Sequence, residues 1–375
     1  MKLVKVTIII LSLLLSFNVI TQAEEFEVRQ WRIGYYESGN VAFFNNILRN
    51  FVHQLILDGY FPKIDMRIFD ICDSRNTWYE LSRVDDAAVK FVKDAYWSNE
   101  WTEDTYKLPR VRIERAIEQH NLDAVIIMGT LAAQRAVRKS NVVFLVLGAS
   151  NVYQSGVTKS DIHSGYANVF ATINPFKYKQ QIKTFYTIID FHKLGIVYRN
   201  DPRGRTFAAA GDVEEMAVKL GFDIVACFSN PEEMNETKSL KDLWECYDFL
   251  SRRVDAMYVT IHGALLNHRN AIILATPFLK GKVPTFVQED PEIVKHGFLM
   301  SVAPVMTCKA EGVFAAKNFE KIMNGAIPGE LDMRFHEDTK LYINLETALL
   351  IDLDMPRSIQ MIADTVYKRI EPCGR

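Results

Sequence analysis

Three polar residues that could bind a small molecule stand just after apolar runs, at the points where the chain turns. Thr130 follows the run that begins at Asp123, and Ser150 and Asn151 follow the next run. Their hydroxyl and amide groups can donate hydrogen bonds to a carboxylate or a carbonyl. Alternatively, Thr130 only caps a helix that begins at Leu131, and Asn151 only turns the chain. Both roles are compatible, because a cap and a ligand use the same helix start.

A second group of candidates surrounds the first predicted turn. A strand over Gln30–Glu37 meets the turn Ser38-Gly39-Asn40, and helical spacing of apolar residues follows over Val41–Leu57. Such a turn places backbone N–H groups at a helix start, which suits a carboxylate or another small anion. Tyr36 and Phe43 are either rings that stack on a ligand or ordinary core residues. The ligand-binding residues predicted here are Tyr36, Glu37, Ser38 and Asn40, and those of the next unit are Thr130, Leu131, Ala149, Ser150 and Asn151.

Further candidates follow strands in the second half of the chain. Asn200 follows the run Lys193–Tyr198, and Glu289 and Asp290 follow another apolar run. One of the acidic residues Glu37, Glu289 and Asp290 could pair with an ammonium group, although each alone is typical of a solvated carboxylate.

His262 and Gly263 end the predicted strand that begins at Asp255. We expect His262 either to donate hydrogen bonds in a cleft and titrate near neutral pH, or to be a structural histidine. His268 follows His262 by six residues, a spacing that does not place the two side chains on one helical face. Acidic or Cys residues that could complete a metal site are missing nearby, so we predict no metal site. No serine-nucleophile, phosphate-loop or zinc-protease motif occurs, so we predict no cofactor and no enzymatic activity, although α/β folds host many chemistries.

The elements that must position these residues occur twice. The segments Asp123–Asn151 and Asp255–Pro304 each open with Asp-Ala and an apolar run, turn, continue as a helix and meet a second apolar run. Short apolar strands that alternate with helices indicate parallel sheets covered on both faces, which bind ligands at the carboxyl ends of their strands. We therefore predict an α/β fold of two doubly wound parallel-sheet lobes with a ligand cleft between them.

The segment Asn76–Pro109 is rich in aromatic residues and charges. Its spacing predicts a helical insertion whose rings pack on the lobe, although rings at this density could also line a cleft. The five cysteines lack the close pairs of a zinc site. Cys227 and Cys246 are the most local candidates for a disulfide, and buried unpaired thiols are the alternative.

Length and charge limit the class of protein. A chain of 375 residues exceeds what one core usually supports, and a net charge of -2 without a long basic run argues against nucleic-acid binding. Residues 1–23 resemble a secretory signal peptide, with Lys2 and Lys5 before an apolar run and cleavage after Ala23. The apolar run is shorter than the roughly 20 residues of a spanning helix, so we predict a periplasmic protein.

The chain resembles the substrate-binding proteins of ABC transporters of the tryptophan/tyrosine-type group, which have the type I periplasmic-binding-protein fold. The residues that carry this resemblance are IGYYESG, DAVIIMGTLAAQRA, VVFLVLGASN, KLGIVYRND, DAMYVTIHGALLNHRNAI, VPTFVQEDPEIVKHGFLMSVAP and KLYINLETALLI. The chain departs from the family's pattern at Ile261-His262-Gly263, at Pro304–Thr307 and in its longer aromatic segment.

The resemblance implies two lobes joined by chain crossovers. The first lobe would comprise residues 24–169 and 305–336, and the second residues 170–304 and 337–375. It also implies a monomer that captures a small amino-acid-like ligand and delivers it to a membrane ABC permease, or that reports the ligand to a sensor kinase.

Overall fold

The computed structural model of the chain describes residues 29–71, 73–85, 87–100, 114–115, 117–135, 140–150, 152–230, 235–304 and 308–372. The predicted signal peptide, the candidate Asn151 and most of Pro304–Thr307 lie outside the described residues. Both sheets of the fold belong to one compact unit, Trp31–Arg375.

The first sheet has five parallel strands in the order β2-β1-β3-β4-β5. Its strands are β1 (Trp31–Glu37), β2 (Val89–Ser98), β3 (Ala124–Met128), β4 (Val143–Leu147) and β5 (Val169–Ala171). Every residue of β3 and β4 is buried. Both strands are continuous apolar runs, as expected for a parallel sheet that is covered on both faces.

Helices with fully described bounds accompany the first sheet. They are α1 (Ala42–Leu57), α2 (Ser74–Ser82), α3 (Thr130–Arg135) and α9 (Lys309–Met323). The helix α9 comes late in the chain but packs on α1. A methyl group built at Gly312 of α9 would lie 2.7 Å from the carbonyl oxygen of Ile47, so the two backbones meet where only glycine fits.

The second sheet has seven strands in the order β12-β11-β10-β9-β8-β6-β7. Its strands are β6 (Lys193–Tyr198), β7 (Asp223–Phe228), β8 (Ala256–Val259), β9 (Thr285–Val287), β10 (Met300–Pro304), β11 (Thr339–Asn344) and β12 (Thr365–Tyr367). The pair β10 and β11 is antiparallel and the other pairs are parallel. The predicted sheet is thus confirmed as mainly parallel, with one reversed strand pair where the chain re-enters it.

The helices of the second half are α4 (Lys177–Ile189), α5 (Pro202–Phe207), α6 (Ala210–Leu220), α7 (Glu236–Leu250), α8 (Ala271–Gly281), α10 (Leu345–Leu350) and α11 (Arg357–Ile362). Two apolar cores lie on opposite faces of the second sheet. In β8, Ala256 and Tyr258 join the core with α4 and α6, whereas Met257 and Val259 join the core with α7 and α8. Alternate strand residues point to opposite faces, so helices cover both.

Two secondary-structure predictions are wrong. The apolar residues of Ile64–Ile71 favour a strand in the sequence, but the structure has a short 3-10 helix there, Met66–Phe69. The helical insertion predicted over Asn76–Pro109 contains α2 and then the edge strand β2, while residues 101–113 lie outside the described part. The indole N–H of Trp78 donates to the Val92 carbonyl at 2.9 Å, so tertiary contacts, which local spacing does not report, hold this segment in the sheet.

The chain passes from one sheet to the other three times. Residues 172–176 form the first crossing segment and residues 324–338 the third, whereas the second falls mostly outside the described residues. The first and third are joined by hydrogen bonds, because the Ile173 N–H donates to the Met333 carbonyl at 2.9 Å and the Phe335 N–H donates to the Ile173 carbonyl at 3.0 Å. The predicted change of lobe at residue 170 falls within β5, which pairs with β4 of the first sheet. The exact lobe boundaries stay a prediction.

A disulfide joins Cys227 at the end of β7 to Cys246 in α7, with their Cα atoms 5.7 Å apart. This is the most local of the pairings that the sequence allows. Cys308 is buried and is the described cysteine outside this disulfide, while Cys72 and Cys373 lie outside the described residues.

Candidate functional site

A cavity of about 240 Å³ lies where the carboxyl ends of strands from both sheets meet the segments that pass between the sheets. Its walls are mostly apolar and hold a small number of charged and hydroxyl groups. The lining residues are Ser38, Val41, Phe43, Phe44, Gly129, Thr130, Leu131, Gly148, Ala149, Ser150, Thr172, Asn174, Lys177, Phe207, Ile261, Glu289, Glu311, Phe335 and Glu337.

Two glycines shape the first-sheet wall of the cavity. Gly129 and Gly148 follow β3 and β4 with φ of +86° and +62°, a left-handed conformation that glycine adopts without a steric penalty. A methyl group at Gly129 would lie 2.6 Å from both the Phe44 ring and the Ser38 hydroxyl. The chain therefore turns tightly from each strand into the cavity wall while Phe44 stays packed beneath it.

The hydroxyl groups of this wall hold its turns together. Ser38 Oγ donates to the Met128 carbonyl and accepts from the Ala132 N–H, both at 3.1 Å. Thr130 Oγ1 accepts from the Ser150 N–H at 3.1 Å. Thr130 thus ties two strand ends together, which agrees with its predicted place at the cleft.

An ion pair forms part of the opposite wall. Lys177 Nζ lies 2.5 Å from Glu289 Oε1, which also accepts from the Tyr178 hydroxyl at 3.2 Å. Burial lowers the pKa of Lys177, but the charge of Glu289 and the hydrogen bond to it raise that pKa above its usual value. Lys177 therefore remains an ammonium group, held at the start of α4.

Glu311 sits in the first turn of α9 and is only 4% exposed. Its Oε1 accepts from the Gly148 N–H at 2.7 Å and from the Thr172 hydroxyl. Burial raises its pKa, while these donors and Lys177 act in the opposite direction. The carboxyl group fastens α9 to the end of β4 and to the first crossing segment.

Glu337 lies in the third crossing segment, just before β11, and is 6% exposed. Its Oε1 is buried and has no hydrogen-bond partner within the described part of the chain. Burial first, and then the negative charge of Glu311, raise the pKa of Glu337 to about 7. The cavity thus contains a carboxyl group close to the midpoint of its titration at neutral pH.

The structure brings together some of the ligand-binding residues predicted from the sequence. The predicted residues that line the cavity are Ser38, Thr130, Leu131, Ala149, Ser150 and Glu289. Those described elsewhere are Tyr36, Glu37, Asn40, Asn200, His262, Gly263 and Asp290. No residue of this second set lines the cavity, so a ligand contact for any of them stays a prediction.

Glu37 and Asn40 lie in a separate, more open depression beside β2, lined also by Asp73, Arg75 and Tyr96. Glu37 is buried and accepts from the Tyr35 hydroxyl at 3.0 Å and from the Tyr96 hydroxyl at 2.7 Å. Tyr36 is buried next to this group, and its hydroxyl donates to Asn99 Oδ1 at 2.8 Å. These polar groups satisfy one another within the first lobe.

His262 is buried in the second lobe, 1% exposed, with its ring 6.1 Å from that of Tyr247. Burial lowers its pKa to about 3, which favours the structural histidine over a group that titrates near neutral pH. Asn200, Gly263 and Asp290 are exposed. A position at a strand end brings some predicted residues to the cavity, but it does not tell whether a side chain turns inward or outward.

Several cavity residues were missed because they lie in the crossing segments or in the first turn of the helix that follows one. They are Thr172, Asn174, Lys177, Glu311, Phe335 and Glu337. The sequence offers one signal near the first three, because a proline such as Pro175 is typical of a helix start. Nothing local marked Glu337, which reaches the cavity through the pairing of its segment with Ile173.

The described residues contain no group of three or more His, Cys, Asp or Glu that could hold a metal ion. Within the same part of the chain, every helix is too short or too polar to cross a membrane.

The family model described as ABC transporter substrate binding protein matches residues 86–367. A search of curated proteins found no match. Among solved structures, one from Streptococcus pneumoniae, an ABC domain in complex with L-Trp, is 17% identical, with a TM-score of 0.63 over 90% of this chain and 99% of that one. A conserved domain protein from Vibrio cholerae is 15% identical with the same TM-score, covering 90% and 100% of the two chains. A ligand-free, open substrate-binding protein with adhesive properties from Clostridium difficile gives the same values.

Proposed function

Because the chain belongs to the substrate-binding proteins of ABC transporters, we propose that it captures a small amino-acid-like ligand between its lobes and delivers it to an ABC permease. The cavity is the observation that carries this proposal. Residues after strands of both sheets and residues of the crossing segments line it together. A ligand there would contact both lobes at once and would favour the closed arrangement.

The size and lining of the cavity favour a small organic molecule. About 240 Å³ accommodates a compact ligand, and mostly apolar walls with a few polar groups are typical of such sites. The aromatic residues Phe43, Phe207 and Phe335 suit an apolar body, and Ser150, Thr130 and Asn174 can hydrogen-bond to a carboxylate. The Streptococcus neighbour was solved with L-Trp, which makes free aromatic and branched amino acids our first choice.

We further propose that the protein acts in the periplasm, as a monomer, after removal of residues 1–23. The disulfide between Cys227 and Cys246 favours an oxidising compartment, since such bonds are rare in the reducing cytosol. Mass spectrometry of the exported chain tests the processing. An intact amino terminus in the membrane fraction would contradict it.

A thermal-shift screen tests the ligand class. Purified protein would be mixed with each free amino acid, with other small organic acids and with divalent metals, and stabilising compounds would be measured by calorimetry. We expect saturable one-to-one binding of an amino acid without turnover. Stabilisation by metals alone would contradict the proposal, and consumption of a compound would indicate an enzyme.

The second candidate function is the input of a membrane sensor kinase, which uses the same binding chemistry. The partner separates the two roles. Uptake of labelled ligand into vesicles that contain the cognate permease should depend on this protein if it serves transport. Ligand-dependent kinase phosphorylation without uptake would favour the sensor.

A further inference from the structure

Glu337 is the cavity residue whose hydrogen bonding the protein leaves incomplete. Its side chain is 6% exposed and lines the cavity, and its Oε1 finds no partner among the residues that the structure describes. A buried carboxylate without a donor raises the free energy of the folded protein. A donor supplied by a ligand would remove that cost.

The other charged groups of the cavity are already paired. Glu289 accepts from Lys177 at 2.5 Å and from Tyr178 at 3.2 Å. Glu311 accepts from the Gly148 N–H at 2.7 Å and from a hydroxyl group. Lys177 is the one Lys or Arg among the described lining residues, so three carboxyl groups face a single ammonium group.

We propose that Glu337 binds the positively charged amino group of the ligand and thereby selects primary amines. This inference rests on the proposed function, because it names the ligand class that the same cavity takes. An ammonium group supplies both the missing N–H donor and a charge that offsets the excess of carboxyl groups. Hydrogen bonds between two ionised groups are about twice as strong as neutral ones.

The position of Glu337 adds a second consequence. The residue lies two positions after Phe335, which hydrogen-bonds to Ile173, and two positions before β11. A ligand held by Glu337 therefore contacts a segment that joins the two sheets. An amine bound there would favour the ionised form of Glu337, which burial and Glu311 otherwise disfavour.

Calorimetry at pH 7.5 with two matched pairs of compounds tests the proposal. L-tryptophan would be compared with indole-3-propionate, and L-leucine with 4-methylpentanoate; within each pair only the amino group differs. We expect at least one amino acid to bind wild-type protein more than about 10-fold tighter than its partner acid, and Glu337→Gln to weaken that amino acid by roughly 10- to 100-fold.

Asp338→Asn is the control, because it removes an exposed carboxylate one position along the same segment and should change binding by less than about 3-fold, as expected for a solvent-exposed charge. Equal binding of an amino acid and its partner acid, or equal weakening of both by Glu337→Gln, would overturn the role of Glu337 while leaving the proposed function intact. Binding of none of the four compounds would overturn the amino-acid-like ligand as well. Comparing each amino acid with its partner acid on wild-type protein keeps the proposal falsifiable even if the Gln variant does not fold.

Discussion

His262 is a neutral imidazole enclosed by the second lobe, and its response to pH tests that placement. Its Nε2 lies 3.3 Å from Thr260 Oγ1, and its Nδ1 has no partner among the described residues. Burial lowers its pKa to about 3, below the ordinary value of 6.5. Neutral His262 therefore stabilises the fold above pH 6.5, and this contribution declines as the pH falls from 6.5 towards 3.

We expect His262→Leu to remove this dependence. As the pH is lowered from 7 to 5, wild type should lose about 2 kcal/mol of unfolding free energy that the variant does not lose. Each pH unit in that window is worth up to about 1.4 kcal/mol. Urea unfolding at several pH values measures it. The exposed His53 gives the control variant His53→Leu. Parallel pH profiles for wild type and His262→Leu would contradict a buried neutral histidine.

Gly129 tests the tight turn at the cavity wall. Gly129→Ala forces a side chain into a left-handed backbone position and against the Phe44 ring and the Ser38 hydroxyl. Gly59 has a similar φ of +80° with no atom within 4 Å of the added methyl group, so Gly59→Ala measures backbone strain alone. We expect a loss of about 1 kcal/mol for Gly59→Ala and a further 1 to 3 kcal/mol for Gly129→Ala. If thermal unfolding showed equal losses of stability for the two variants, the residues around Gly129 would have moved to accommodate the methyl group.

Of the individual residues that line the cavity, the sequence indicated only some. Thr130 and Ser150 were recognisable because they directly follow apolar runs that form buried strands. Glu311 and Glu337 were not, because they meet in space only after segments far apart in sequence cross between the sheets. Like Thr130, His262 follows an apolar run that forms a strand. Its side chain nevertheless lies in the core, beside the Tyr247 ring, and the local sequence does not report that packing.

Among the elements, β7 and α7 are held together by the Cys227–Cys246 disulfide. The Cys227→Ser/Cys246→Ser double variant should lose on the order of 3 kcal/mol, since the bond closes a loop of roughly 20 residues in the unfolded chain. Guanidinium unfolding measures the loss, and a reducing agent should destabilise wild type but not the double variant. Cys308→Ser, at the described cysteine outside this disulfide, serves as the control. No change on reduction would mean that the bond does not stabilise the fold.

The strands of both sheets were largely predictable because buried parallel strands are continuous apolar runs. The run KLGIVY was predicted as a strand over the bounds that β6 has in the structure. The strand β2 was missed because Val84, Ala88, Phe91 and Val92 repeat at helical spacing. Its pairing with β1 and the contact of Trp78 with Val92 decide its conformation, and neither is visible locally.

For the whole molecule, we expect the lobes to close on the ligand by bending at the described crossing segments, residues 172–176 and 324–338. Small-angle scattering of ligand-free and saturated protein should show a smaller radius of gyration with the ligand found by screening, because residues after strands of both sheets line the cavity. The same compound at the same concentration should leave the radius of a binding-deficient variant unchanged. An equal radius at saturation in wild type would count against closure.

We propose above all that a small amino-acid-like ligand occupies the cavity between the two lobes. Calorimetric titration of the screened amino acid into wild type and into Ala149→Trp tests it most directly, because the indole would fill space beside Gly148 and Ser150. Val218→Trp, at a site that is 89% exposed, controls for the added ring. We predict one-to-one binding to wild type and to Val218→Trp, and none to a folded Ala149→Trp. Undiminished binding to Ala149→Trp would place the ligand elsewhere and contradict the claim.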